Sequence, residues 1–185
     1  LRRIKSTNRE GGAGRRLSTG TNDHHLDFVV SDLPSLRKRQ LMEIQSTPID
    51  GLLLVRPRLF QDDRGSFCET WNQVAFDEAV GEQVRFVQAN ESRSKAGVLR
   101  GLHFQRPPHA QGKLVRVVQG SVLDVAVDLR QGSPTFGQHY AAKLSGENRW
   151  QFYVPAGFAH GFLALEDGST LQYNCTDTYH PESEQ

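Results

Sequence analysis

From Leu52 onward, apolar residues come in short runs: LLLVRPRLF, SFCETW, VRFVQAN, VLRGLHF, KLVRVVQ, SVLDVAVDL, HYAAKL, QFYVP, HGFLAL and TLQYNCT. Each is rich in β-branched and aromatic residues. Turn signals separate them, among them DDRG, SKAG, RPPHAQG, RQGSPTFG, SGEN and EDGS. Ten short strands at this spacing predict an all-β sandwich, jelly roll or barrel. Only VAFDEAVG, between Asn72 and Glu82, reads as a short helix. The alternation is clean in Ser121–Leu129, where Leu123, Val125, Val127 and Leu129 form an apolar face and Asp124 and Asp128 point the other way.

Residues 1–41 show neither period. They contain GGAG, STGTND and the basic cluster Arg37-Lys38-Arg39, and are expected to be disordered or foreign to the fold. Asp23, Asp27 and Asp32 make the segment a poor signal or transit peptide, and Met42, the only methionine, is the expected native start. The expected organisation is therefore an extension over 1–41 and one domain over 42–185.

Charge refines this picture. Residues 1–41 hold nine Lys and Arg against four Asp and Glu, within a chain of net charge +1. The basic excess sits in the tail rather than the patterned body, which argues against nucleic-acid binding. No apolar run approaches the ~20 residues needed to cross a bilayer. Cys68 and Cys175 lie far apart and form no CxxC pair, which suggests a reducing, cytoplasmic compartment. Cys175, in a strand-like run, reads as a small core residue.

Candidate chemistry concentrates in Val98–Lys113, VLRGLHFQRPPHAQGK. Arg100, His103, Gln105 and Lys113 place charged and titratable groups on two neighbouring strands. Strict alternation would put Arg100 and His103 on opposite faces, but a bulge at Gly101 would restore a common one. By itself His103 reads more readily as a structural or surface histidine than as a base. Lys113 alone would be a solvated lysine at a strand start, and Tyr173 a half-buried strand tyrosine.

FQDDRGSFCETWN, FVQANESRS, RGLHFQ, AQGKLVRVV, DVAVDLR, GSPTFGQ, PAGFAHGFLAL and the Tyr-x-Cys-Thr-Asp run resemble, in order, dTDP-4-dehydrorhamnose 3,5-epimerases from about Met42 to the last residue. The resemblance implies a cupin-type jelly roll (double-stranded β-helix) with one short helix, working as a homodimer without metal or organic cofactor. It implies epimerisation of dTDP-4-dehydro-6-deoxy-D-glucose at C3 and C5, in dTDP-L-rhamnose biosynthesis. The resemblance makes His103 the base, Lys113 the group that stabilises the enolate oxygen and Tyr173 the acid across the sugar ring. Arg64 and Glu69 match substrate contacts that reach across the dimer, and Arg100 is expected at the diphosphate. Gln88, Ala89 and Asn90 match a thymidine-side segment, and Tyr179 an aromatic that stacks on thymine. His160 matches a histidine near the sugar and Glu184 a further substrate contact.

The resemblance also carries departures. Family members continue past Gln185 to a Leu-Ser-x-Lys-Asp motif whose Asp pairs with the histidine base. The chain therefore reads as truncated, with a weaker and less well-oriented His103; Asp124 or Asp177 are the candidates to replace the missing carboxylate. Ala89 stands where an acidic residue is common, and Glu91 where a histidine is common. Three other readings compete: a single-carbon epimerase, a sugar-nucleotide binding module with little activity, and a metal-dependent cupin using His103, His109 and His160. The last is disfavoured because the His-x-His pair followed by Glu that typifies cupin metal sites is absent.

Overall fold

Where apolar residues fall on both parities of a strand, as in Leu53-Leu54-Val55 or Leu114-Val115, both faces must be covered. The computed structural model describes residues 42–185, and the expectations for residues 1–41 lie outside the described residues. The strands are β1 (Met42–Ser46), β2 (Leu53–Pro57), β3 (Phe60–Asp62), β4 (Gly65–Phe67), β5 (Gln88–Ser94) and β6 (Leu99–His103). They continue as β7 (Lys113–Gln119), β8 (Ser121–Asp128), β9 (His139–Ser145), β10 (Gln151–Val154), β11 (Phe158–Ala164) and β12 (Ser169–Cys175). One helix, α1 (Gln73–Val80), follows the β3–β4 hairpin, and a single 3₁₀ turn covers Pro181–Ser183.

A six-stranded sheet, ordered β1-β2-β10-β7-β12-β5, faces a four-stranded sheet ordered β6-β11-β8-β9. All pairings within them are antiparallel. This is the expected jelly roll. Between the sheets, Leu54, Val115, Val117, Phe152 and Leu171 pack against Val122, Ala126, Leu144, Phe158 and Phe162. On the outer face of the large sheet, Leu53, Val55, Leu114 and Tyr153 are covered by Phe76 of α1 together with Val84. Asn72 caps α1 by accepting a hydrogen bond from the Ala75 amide at 3.2 Å, and Gly81 ends it in the left-handed conformation at φ 83°.

The helix and most strands lie where the sequence placed them, with five differences. Met42–Ser46 forms an edge strand that the pattern did not reveal. LLLVRPRLF is broken into β2 and β3, SFCETW is paired only as far as Phe67, and VRFVQAN pairs only from Gln88.

The fifth difference concerns β8. Its alternation is real, but the buried face is the one carrying the aspartates: Val122, Asp124, Ala126 and Asp128 are each 0% exposed, while Leu123 is 38% exposed. Each buried carboxylate is sustained by specific partners. Asp124 Oδ1 lies 2.8 Å from His160 Nε2. Asp128 accepts hydrogen bonds from Arg130, Ser133 and Thr135, which hold its carboxyl well below the usual carboxylate range.

The expected bulge at Gly101 is present. Across the β6–β11 pair, His103 faces His160 and Arg100 faces Phe162, so three steps along β6 match two along β11. Arg100 and His103 therefore share a face. Gly101 has φ 96°, and a Cβ there would sit 2.6 Å from the His160 carbonyl oxygen and 2.8 Å from Gly161 Cα. A Gly101→Ala variant is expected to lose about 1–3 kcal/mol from backbone strain alone. Chemical denaturation checks this; a loss below 0.5 kcal/mol would show that the crossing tolerates a side chain.

Candidate active site

The inner face of the large sheet changes composition along its length. On β7 the inward positions run Val117, Val115, Lys113, and on β12 they run Leu171, Tyr173, Cys175. The apolar members fill the core. The polar members line a cavity of about 260 Å³ at one end of the sandwich, with Gln88 and Asn90 of β5 beside them. His103 enters from β6 opposite. Cys175 is buried against Lys113 and stays a thiol, its pKa raised by burial.

The central contact joins Lys113 Nζ to His103 Nε2 at 3.0 Å. Lys113 is only 5% exposed. Burial lowers its pKa, and Asp124 and Glu184 act in the opposite sense. The His103 pKa is lowered to about 4, first by burial, then by the positive fields of Lys113 and His160. His103 is thus a neutral imidazole at neutral pH, and the ammonium donates to its Nε2 lone pair. Burial raises the Tyr173 phenol pKa, so that group keeps its proton.

A second dyad lies behind this pair. His160, 3% exposed, pairs with Asp124 on the adjacent strand, and its ring centroid is 6.2 Å from that of His103. Asp124 therefore serves His160 and not His103. Asp177 is likewise engaged, at 3.3 Å from His109 Nδ1. Neither of the two carboxylates considered as an orienting partner hydrogen-bonds His103. The second oxygen of Asp124 is buried with no hydrogen-bond partner among the described residues.

The last described residues are fixed rather than frayed. Phe104 and Gln185 exchange two backbone hydrogen bonds, and the Arg106 amide donates to the Ser183 carbonyl. Tyr179 donates to Glu184 at 2.6 Å, and its own amide donates to the Gln88 side chain. Both Tyr179 and Glu184 line the cavity. Gln105 and Gln111 also line it, although the resemblance assigned neither a role. The signal for Gln105 was available, since it stands two residues beyond His103 in RGLHFQ.

Other expected site residues are not in the cavity wall. Ala89 alternates to the opposite face of β5 from Gln88 and Asn90 and is exposed. Arg100 donates from Nε to Ser94 Oγ at 3.1 Å, close enough to Tyr173 to bias its ionisation. Arg64, on the β3–β4 hairpin, has an 88% exposed side chain paired with Asp62. Glu69, beyond the hairpin, accepts from Asn72.

A neutral, half-buried imidazole, an adjacent ammonium and a protonated phenol around one cavity define a jelly-roll protein equipped for proton transfer beside a developing negative charge. The family model for dTDP-4-dehydrorhamnose 3,5-epimerase matches residues 46–185. A dTDP-4-dehydrorhamnose 3,5-epimerase of Methanothermobacter thermautotrophicus is 55% identical over 74% of this chain and 72% of its own length. That of Salmonella typhimurium is 51% identical over 78% of this chain and 79% of its own. The crystal structure of a dTDP-6-deoxy-D-glucose-3,5-epimerase from Legionella pneumophila, in complex with dTDP-4-keto-L-rhamnose, is 53% identical. It superposes with a TM-score of 0.74, covering 77% of this chain and 76% of that one. The chain belongs to the dTDP-4-dehydrorhamnose 3,5-epimerase family, whose activity is that of an isomerase.

The depressed His103 pKa can be measured directly. Because the folded-state pKa lies below the unfolded value of about 6.5, the unfolded chain takes up this proton first. The His103 contribution therefore erodes stability as pH falls from about 6.5 toward 4. In an NMR titration the His103 imidazole is expected to titrate near 4, and in Lys113→Met at higher pH, though still below 6.5 because burial remains. A wild-type midpoint at or above 6.5 would contradict the assignment.

Proposed function

We propose that this cavity epimerises dTDP-4-dehydro-6-deoxy-D-glucose at C3 and C5 to give dTDP-4-dehydro-L-rhamnose, supplying dTDP-L-rhamnose biosynthesis, with His103 as the base. The observation that carries this reading is the 3.0 Å contact between His103 and Lys113 in a cavity shared with Tyr173. A proton α to a ketone is acidic enough for a positioned imidazole to remove. Neutral His103 takes that proton at Nε2 once Lys113 swings from this nitrogen to the 4-keto oxygen. The ammonium then balances the enolate charge. Tyr173, kept protonated by burial, returns a proton from the opposite face of the ring.

Tyr179 stacks on thymine, Gln88 and Asn90 hold the thymidine side through their side chains, and Ala89 contributes backbone only. Glu184 contacts substrate beside Tyr179. His160, held by Asp124, is a positioning residue near the sugar. Arg100 serves the diphosphate, where a guanidinium gives paired hydrogen bonds.

In this reading the protein is a cytoplasmic homodimer, and Arg64 and Glu69 reach the partner's cavity rather than their own. The exposure of Arg64 away from the cavity supports that division. So does the surface: Leu99, Leu163 and Leu123 sit opposite one another in a single row across the outer face of the small sheet, and Leu99 is 70% exposed. The cytoplasmic reading draws on the free thiols of Cys68 and Cys175. Among the described residues no helix is long and apolar enough to cross a membrane.

Incubation with the 4-keto-6-deoxy substrate in deuterium oxide tests the reaction. Label is expected at both C3 and C5, and His103→Ala should lose about 10²–10⁴-fold in rate. Equal incorporation by variant and wild type would overturn the base; label at one carbon alone would make the chain a single-site epimerase. For the dimer, light scattering should give twice the chain mass, falling to the chain mass in Leu99→Asp. A monomeric wild type at micromolar concentration would reject that assembly.

A further inference from the structure

Beside the cavity, two loops bring together groups that the proposed reaction does not use. His109 lies between β6 and β7, while Asp177 and His180 follow β12. One donor atom from each lies within 4.8 Å of the other two. His109 Nδ1 is 3.3 Å from Asp177 Oδ2, and the two imidazoles stack with centroids 3.4 Å apart and 11° between their planes. Glu182 adds a second carboxylate, 3.1 Å from His180 Nδ1.

Asp177 and Glu182 surround the two imidazole rings with negative charge. A single divalent ion shared between one nitrogen of each ring and a carboxylate gives the same negative surroundings one centre of positive charge. Two imidazole nitrogens and a carboxylate oxygen, with a fourth position open to water, is the donor set of borderline transition ions, zinc foremost.

The backbones beneath these donors are already held. Gln105 donates to the His109 carbonyl at 2.7 Å and the Thr178 carbonyl at 3.1 Å, and accepts from the His180 amide at 2.7 Å. Gln111 donates to the Asp177 and Thr178 carbonyls at 2.7 and 2.9 Å. Outer-shell hydrogen bonds of this kind fix the geometry of metal ligands. Tetrahedral bonds of about 2.0–2.2 Å require donors about 3.3–3.6 Å apart. Side-chain rotation closes that gap: the three residues are half-buried, and His180 need only exchange its contact with Thr178 or Glu182 for the ion.

We infer that His109, Asp177 and His180 form a binding site for a divalent transition-metal ion of the zinc class, separate from the proton-transfer cavity. An ion there ties the β6–β7 loop to the segment 177–184, which presents Tyr179 and Glu184 to the cavity. Occupancy therefore clamps that segment and tightens dTDP binding. The clamp rests on reading the cavity as the nucleotide site; the metal site itself does not.

Zinc titration of the chelator-treated full chain, followed by calorimetry, tests the site. One saturable site in the micromolar range is expected, weakened at least tenfold in His109→Ala and in His180→Ala. Replacing His24, His25 and His139 should leave it unchanged. Melting without metal verifies the fold of each variant, and Asp177→Asn, which keeps the side-chain size, gives the same loss if an alanine variant is unstable. No saturable zinc binding in wild type, or wild-type affinity in both histidine variants, would overturn the site. Titration of dTDP with and without zinc tests the clamp, which predicts severalfold tighter binding with zinc; equal affinities would reject the clamp, and failure of dTDP to bind at all would reject the nucleotide reading while the zinc result stood.

Discussion

Three steps along β6, from Arg100 to His103, are matched by two along β11, and the cavity chemistry depends on that extra residue. Without it, His103 would alternate away from the inner face and could not meet Lys113 across the sandwich. The crossing demands glycine on both strands. A Cβ at Gly101 would collide with the His160 carbonyl, and one at Gly161 would sit 2.6 Å from the Arg100 carbonyl oxygen. The irregularity that aims the imidazole is thus secured by backbone packing.

Placing Lys113 in the wall of a jelly roll carries a desolvation cost that an apolar side chain would avoid. The fold confines the cost to one end. Deeper positions on the same strands, Val115 and Val117 on β7 and Leu171 on β12, complete the apolar core, so the polar layer weakens the sandwich only near its mouth. Burial lowers the Lys113 pKa, and the negative field of Asp124 and Glu184 opposes that shift. Asp124 reaches this position from the β8 face that alternation alone would assign to solvent.

That face marks the limit of what a single sequence reveals. A period of two identifies two faces but does not say which is buried, and the apolar set Leu123, Val125 and Val127 invites one answer. The partners that permit the other are remote: His160 for Asp124, and a turn containing Arg130, Ser133 and Thr135 for Asp128. By contrast, the short helix was legible because its N-cap and terminal glycine are local signals, and the Gly101 bulge because two informative side chains needed one face. His103, Lys113 and Tyr173 were legible as a set only through motif resemblance. Spacing alone left each with an ordinary structural reading, and the Tyr179–Glu184 contact to the cavity depends on backbone pairing with Phe104 and Arg106 that no local pattern encodes.

An imidazole held near pKa 4 is well suited to staying unprotonated and poorly suited to taking a proton at neutral pH, since efficient proton transfer favours a pKa close to the working pH. In the proposed reaction, substrate binding resolves this tension. Two of the causes that depress His103 are positive neighbours, and one of them, Lys113, is the group that the proposed 4-keto oxygen draws away. As its ammonium turns to that oxygen, Nε2 is uncovered, and the diphosphate brings negative charge into the same low-dielectric space. Both changes raise the affinity of His103 for a proton. In the proposed reaction, the free protein thus keeps His103 neutral, and the substrate would strengthen it as a base where the proton is to be taken. In this scheme Lys113 serves twice, guarding the imidazole before binding and balancing the enolate afterwards, which explains why a buried lysine rather than a neutral donor occupies the position.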